Sequence, residues 1–386
     1  MRGNKLRYGI IGIGKQGHIY ANKLHKGLDK NAVLTAVCDI SPERREWAHK
    51  HLKGVTVYED HRQLIASPEV DAVVVVTPHY LHPEIAIEAL SQNKHVLTDK
   101  PAGVYTKAVR EMNEFAATKP ELLFGIMYNQ RSNPLYLKAK DFIGGGGMGQ
   151  IKRINWIVTN WYRPQAYYDQ GGWRGTWAGE GGGVLINQCP HQLDLFQWLG
   201  GMPAKVRGYA KVGVNRDIAV ENDVTFCTEY ENGASGVFVT STHDYPGTNR
   251  LEISGDGGQI VIEQNLLKEK MVIHRLKTKE TEFNRVNEKF MPLIPKKTVR
   301  LKTDSLTNIR RLFIVSQHIN IFRNFSRAAL FGERLLAPGA EGINGLMLSN
   351  AVYLSSWLDR EVTLPIDEDL YLSELNKRIE REKGMN

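Results

Sequence analysis

A glycine turn set directly after an apolar strand, strand and helix signals that alternate over the first 125 residues, and a later run of long strands with no helices between them predict an α/β protein. Residues 1–125 read as a doubly wound parallel sheet of the Rossmann type, and residues 126–386 as an α+β domain with a large, mainly antiparallel open sheet. A length of 386 residues exceeds what one ordinary core accommodates, which agrees with two domains.

The elements follow in order. RYGIIGIG is a short buried strand, residues 17–27 a helix, and AVLTAVCDI a second strand. Ser41 and Pro42 open the next helix as its N-cap and first helical residue. The unbroken apolar run DAVVVVT predicts a strand covered on both faces. A helix over 83–92, the strand KHVLTDK, a helix over 106–118 and the strand LLFGIMY complete the alternation. Beyond residue 126, a helix over 133–143 leads into the glycine-rich GGGGMGQ. Strands follow in IKRINWIVTNWY, AKVRGYAKVG, DVTFCTEY, ASGVFVTSTH, RLEISGDGGQIVIE and the basic stretch after it, and helices return over 312–330 and 341–358.

Composition narrows the class. With 42% hydrophobic and 24% charged residues the chain reads as soluble and globular, and no apolar run reaches the roughly 18 residues of a membrane span. The basic start MRGNKLRYGIIGIGK runs into a glycine turn instead of a cleavage site, so no signal peptide is expected. Cys38, Cys189 and Cys227 offer neither a disulfide framework nor metal-ligand spacing, and His79 and His82 have no Cys or carboxylate partners at such spacing. A cytoplasmic protein without a metal is expected. The net charge of +8 equals the excess in residues 266–311, where 13 basic residues face 5 acidic ones. There the basic residues alternate with apolar ones, as on a solvated strand face whose lysines guard an edge. No nucleic-acid or membrane partner is expected.

GIGKQG carries the first chemistry. Gly12 permits the tight turn, Gly14 lets the backbone approach a pyrophosphate, and Gly17 lets helix pack on strand. Asp39 ends the second strand 22 residues after Gly17, where a carboxylate accepts from an adenosine ribose hydroxyl and repels a 2′-phosphate. NAD is therefore favoured over NADP, with nearby Arg44 softening the preference. TPHYLHPEIAIEAL places Thr77, Pro78 and His82 at the carboxyl edge of the sheet, where cofactors bind. HVLTDKP ends a buried strand on Asp99, Lys100 and Pro101, aims Lys100 at the nicotinamide region, and marks Lys100–Pro101 as a candidate cis peptide. In GGGVLINQCPHQLDLFQWLGG, a helix starting near Asn187 would put Asn187, His191 and Asp194 on one face beside a core stripe of Leu193, Phe196 and Leu199. Such a polar trio is either a satisfied hydrogen-bond network or a reaction site.

In combination and in this order, these motifs resemble the Gfo/Idh/MocA oxidoreductase family over nearly the whole chain, EGINGLMLSNAVYLSSWLDREVTLP included. The resemblance implies a catalytic set in which Lys100 and His191 match position by position. Asp99 stands where Glu is usual, and Asn187 where many polyol-oxidising members carry Asp. It implies hydride exchange between nicotinamide C4 and a hydroxyl-bearing carbon of a sugar, polyol or glycoside. His191 would serve as base because imidazole titrates near neutrality, and with Pro190 in the first helical turn the positive end of the helix would favour its neutral form. Lys100 would hold the reacting oxygen and line the cofactor. Asp194 would orient the ring or serve the helix N-terminus, and Asn187 would donate to or accept from a neighbouring hydroxyl.

For the substrate, YNQR offers Tyr128 and Arg131, and the stretch TNWYRPQAYYDQGGWRGTWAGEGGG offers Tyr162, Arg163 and Trp173, with Trp177 read as structural. Aromatic faces stack on sugar C–H faces while guanidinium groups reach hydroxyls. Two other functions fit the same motifs: a redox-neutral, NAD-dependent glycoside lyase or glycosidase working through a transient keto-sugar, and a silent sugar- or NAD-sensing regulator. A homodimer or homotetramer formed through the open sheet is expected.

Overall fold

The computed structural model describes residues 5–265, 268–290, 294–303 and 317–384. The chain forms two compact units, Met1–Ser132 with Val315–Leu346, and Asn133–Ile314 with Met347–Asn386. The sequence divides the chain once, at residue 125; the folded chain divides at Ser132 and returns a later segment to the first unit.

In the first unit six parallel strands, β1 (Leu6–Ile11), β2 (Ala32–Cys38), β3 (Thr56–Tyr58), β4 (Ala72–Val75), β5 (His95–Thr98) and β6 (Phe124–Ile126), pair in the order β3-β2-β1-β4-β5-β6. They alternate with α1 (Lys15–His25), α2 (Pro42–His51), α3 (His61–Ala66), α4 (His82–Ser91) and α5 (Thr106–Ala117). Ser41 caps α2 by accepting the Arg44 N–H, as its position before Pro42 predicts. β4 is buried at every residue, the consequence of helices on both faces. Strand order reverses between β1 and β4, so the crevice for a ligand opens at the carboxyl ends of those two strands. β3 and α3, with three and six residues, are too short to leave a periodic signal.

The returning segment has a physical reason. β6 is an edge strand, and its free side is closed by the Ile126 N–H donating to the Ala337 carbonyl at 3.0 Å. Helix Gln317–Phe331 covers the sheet: Phe322 packs edge-on to Tyr8 at 5.5 Å and Ser326 Oγ lies 3.0 Å from the Tyr8 hydroxyl. Residues 312–316, where the sequence starts this helix, lie outside the described residues, as do 304–311 of the basic run.

The second unit holds α6 (Pro134–Gly144), β7 (Ile151–Val158), α7 (Gln165–Tyr168), α8 (Pro190–Gly200), β8 (Lys205–Val212), β9 (Glu221–Glu229), β10 (Ser235–Ser241), β11 (Asn249–Gly255), β12 (Gly258–Gln264), β13 (Glu269–Leu276), α9 (Glu280–Val286), β14 (Lys296–Thr303) and β15 (Val362–Thr363). Its nine strands order as β14-β13-β12-β11-β7-β10-β9-β8-β15, antiparallel except for the β7–β10 pair. α8 packs Phe196 onto Phe226 and Phe238, which stack at 5.0 Å. The basic β14 is an edge strand, where lysines discourage further pairing. The helix Glu368–Lys383, without a sequence expectation, ends the fold and docks Tyr371 against Trp357. Among the described residues, no helix is long and apolar enough to cross a membrane.

Candidate functional site

In the first unit the glycine turn follows from sterics. Gly12 has φ +89°, and a Cβ there would lie 2.6 Å from the Val76 carbonyl oxygen. A Cβ on Gly17 would lie 1.9 Å from the Gly12 carbonyl oxygen. Gly14 differs, since its Cβ would meet only Arg44, at 3.5 Å, leaving backbone open to a ligand. Asp39 is 4% exposed and is pinned onto this turn, accepting the Ile13 N–H at 2.8 Å and the Ser41 N–H at 2.9 Å. Arg44 pairs with it at 3.4 Å. Pro78 follows the end of β4 and leads into the turn His79–Leu81. Thr77 Oγ1 and Gln16 Nε2 are buried without a hydrogen-bond partner among the described residues, and a polar ligand at this edge would satisfy them. Turn, carboxylate and orphaned polar atoms fit a dinucleotide.

Lys100 follows β5 and is half-buried, and the Lys100–Pro101 peptide is cis. His82, a cofactor candidate from sequence, takes a different place: it is 1% exposed, with Nδ1 2.7 Å from the Pro101 carbonyl oxygen and Nε2 2.8 Å from that of Thr77. The ring lies between two carbonyls that follow β4 and β5 and, when neutral, gives its single N–H to one of them, so it is engaged with the main chain instead of facing a ligand. Burial lowers its pKa, while the two carbonyls and the Asp99 carboxyl oppose that shift. Asp99 is itself pushed up by burial, against the pull of Lys100 and His82, and accepts from the Tyr20 hydroxyl at 3.2 Å. His318, whose ring lies 5.4 Å from that of Tyr20, is held down at about 4 by burial and by the charges of Lys23 and Lys100.

In the second unit the expected helix start moves. Val184–Gln188 form one wide π-type turn, Cys189 breaks it at φ −108° and ψ 14°, and α8 begins at Pro190. Proline has no N–H to give to the preceding turn and fits the first helical position. Asn187 therefore sits on the turn before α8 and His191 is the second residue of the helix. Asp194, 1% exposed, accepts from Gln197 Nε2 at 3.0 Å, so part of the expected polar trio is a satisfied internal bond. Leu193, Phe196 and Leu199 are buried as the spacing predicts.

A residue without a sequence signal holds this turn. Glu221 is buried and accepts the Gly183 N–H at 2.8 Å, the Leu185 N–H at 3.0 Å and the Tyr353 hydroxyl at 2.7 Å. Burial pushes its carboxyl up to about 7 against those three donors. A Cβ on Gly183 would lie 1.9 Å from the Glu221 carbonyl oxygen, which explains one of the three glycines.

Beside the turn stands an aromatic and guanidinium wall. The Arg163 guanidinium lies over the rings of Trp161 and Tyr167 at 5.6 and 4.9 Å, and that of Arg174 over Tyr167 and Trp173 at 4.9 and 4.6 Å. Tyr162 is 42% exposed, with Arg216 over its ring. Arg174 Nη1 donates to the Tyr167 hydroxyl at 2.8 Å, and Asn187 Nδ2 donates to Glu180. Tyr162, Arg163, Trp173, Asn187 and His191 thus share one unit with Tyr167 and Glu180, which sequence reasoning passed over. Trp177 is structural, its indole N–H donating to the Ala219 carbonyl at 2.7 Å.

Tyr128 and Arg131 belong to the first unit. Arg131 is fully buried, ion-paired with Glu341, donates to the Leu336 carbonyl and lies over the Tyr128 ring; Tyr128 donates to the Gly342 carbonyl at 3.3 Å. Following the edge strand β6, both fasten the returning segment into the first unit.

Residues 6–125 match the family described as an oxidoreductase family with an NAD-binding Rossmann fold, and residues 136–261 match the GFO/IDH/MocA C-terminal domain. The myo-inositol 2-dehydrogenase of Thermotoga maritima is 26% identical over 260 residues, covering 66% of this chain and 74% of the relative. The scyllo-inositol 2-dehydrogenase (NAD(+)) of Bacillus subtilis is 25% identical over 264 residues, 67% of this chain and 74% of the relative. Among solved structures, the WlbA dehydrogenase from Chromobacterium violaceum, in complex with NADH and UDP-GlcNAcA, is 26% identical with a TM-score of 0.77, over 95% of this chain and 98% of that one.

Proposed function

From the premise that the chain belongs to the Gfo/Idh/MocA family of oxidoreductases, with an NAD-binding Rossmann fold, we propose that it oxidises a secondary hydroxyl of a sugar or polyol with NAD. The observation that carries this reading is the presence of a lysine directly after β5 and of a histidine in the first turn of α8, in a chain whose relatives include two inositol dehydrogenases. Gly12, Gly14, Gly17, Asp39, Thr77, Pro78 and Lys100 hold the dinucleotide. NAD, when bound, supplies the hydride acceptor. His191 takes the hydroxyl proton as neutral imidazole, and the Lys100 ammonium holds the same oxygen and stabilises its developing negative charge. Asn187 bonds a neighbouring hydroxyl; Tyr162, Arg163 and Trp173 stack on and bracket the ring.

The test is NADH formation with a panel of inositols, aldoses and glycosides. Lys100→Ala and His191→Ala each lower kcat/KM by about a hundredfold or more while NAD binding persists in the His191 variant. Turnover surviving in the double variant overturns the assignment, and aglycone release without net NADH replaces oxidation by elimination. The reading extends to assembly: the outer sheet face exposes Ile157, Val237 and Tyr209, and a homodimer or homotetramer formed there is expected in light scattering.

A further inference from the structure

By sequence, Asn187 lacks the acid that many relatives carry beside the catalytic histidine. The fold brings a carboxylate to it from seven residues upstream. Glu180, 1% exposed, accepts the Gly175 N–H at 2.8 Å through Oε2, while its Oε1 accepts from Asn187 Nδ2 and lies 3.6 Å from Arg174 Nη1. Asn187 Nδ2 also reaches the Tyr167 hydroxyl oxygen at 3.3 Å, and that oxygen receives Gln188 Nε2 at 3.3 Å and Arg174 Nη1 at 2.8 Å. A primary amide has two N–H protons at one end and a carbonyl oxygen at the other. With both protons directed at Glu180 and Tyr167, any other partner of this side chain is met through Oδ1, as an acceptor. Turning the amide over would set a carbonyl oxygen against a buried carboxylate, two acceptors with no proton between them, so Glu180 fixes the orientation.

We infer that Glu180 is a positioning residue that makes Asn187 an obligate hydrogen-bond acceptor, so that the substrate position it reads must carry a hydroxyl donor and excludes a carboxylate or carbonyl oxygen. The inference rests on the proposed dehydrogenase reading and refines it: the acidic partner is displaced one side chain outward, and the substrate class narrows to polyols and neutral sugars with a free hydroxyl at that place.

A polarity exchange tests it. Asn187→Asp sets two carboxylates in contact, Glu180→Gln sets two amides in contact, and the double variant restores one donor and one carboxylate in nearly the original shape. With NAD and myo-inositol, scyllo-inositol and D-glucose as probes, each single variant loses about tenfold or more in kcat/KM, the scale of a charge-assisted hydrogen bond, and the double variant recovers to within about threefold of wild type. The deficit of Asn187→Asp relative to wild type shrinks as pH falls from about 8 to 6, because a proton shared by the two carboxyl groups restores a donor. A double variant no better than the worse single, or Glu180→Gln with wild-type kcat/KM, overturns the inference; so does recovery of thermal stability in the double variant without recovery of activity. Where a single variant fails to fold, the double variant alone decides, since it must both fold and turn over. A wild type that forms no NADH with any probe defeats the dehydrogenase reading instead, and the comparison then moves to stabilisation of the four NAD-loaded proteins by the same polyols, where loss in the singles without rescue in the double defeats the inference separately.

Discussion

The first unit builds its site from backbone and the second from side chains. Around the glycine turn the decisive groups are the carbonyls of Gly12, Val76, Thr77 and Pro101 and the N–H groups of Ile13 and Ser41, with Asp39 and His82 bonded to the main chain. Around α8 they are Glu180, Asn187, Tyr167, Arg174 and Arg163, bonded mostly to one another. A backbone site tolerates changes of polar side chain but fails at a single added methyl group; a side-chain site answers to polarity. The largest expected effect follows. Gly17→Ala drives a Cβ into a carbonyl oxygen and costs about 4 kcal/mol or more, abolishing NAD binding, as calorimetry and thermal unfolding would show. Gly14→Ala, whose Cβ meets only the Arg44 side chain, keeps the thermal midpoint and loses NAD affinity alone. Equal unfolding of both variants would break the comparison.

Two titrating groups, one in each unit, also answer pH in opposite senses. Glu221, in the second, has a folded pKa of about 7 against an ordinary 4.5, so the folded chain holds a proton that the unfolded chain has released. Its contribution is fully present below about 4.5 and is lost as pH rises through 7, by about 3 kcal/mol. His318, in the first, has a folded pKa of about 4 against 6.5, so stability there is lost as pH falls through that window. One proton is exchanged at each group, so the two slopes are alike in size and opposite in sign. Hydrogen exchange followed peptide by peptide at pH 5 and 8 separates the units, and Glu221→Gln flattens the slope of the second without touching the first. Parallel pH slopes in both units would remove the distinction.

This contrast explains what could be read in the sequence. Gly12, Gly17, Asp39 and the buried run of β4 were legible because main-chain geometry imposes fixed residue types at fixed spacing. The helix start stayed open between Asn187 and Pro190 because a wide turn, closed here by the Cys189 N–H on the Val184 carbonyl, keeps nearly the same side-chain spacing as an α-helix until proline begins a new one. Glu180 and Glu221 left no signal: an acid beside three glycines and an acid opening a strand look like solvated residues until the fold buries them. Tyr128 and Arg131 show the converse. Their polar ends suggested a ligand, and only the return of residues 336–342 to the edge of β6 consumes them. The return of residues 315–346 to the first unit left no signal for the same reason, since an edge strand announces that it needs cover but not which distant segment provides it.

The smallest effect is expected where the first unit does use an exposed side chain. Arg44 is 53% exposed and pairs with Asp39 at 3.4 Å, a geometry that contributes little in water. Arg44→Ala therefore changes stability by less than about 0.5 kcal/mol and NAD affinity by no more than about twofold. The same guanidinium is the cation that a 2′-phosphate would meet beside the repelling Asp39, so NADP affinity falls by about tenfold and the preference for NAD widens. Titration of both nucleotides against the two proteins measures it. If the variant loses NAD as steeply as NADP, a side chain and not the backbone holds the ribose end, and the contrast between the units no longer stands.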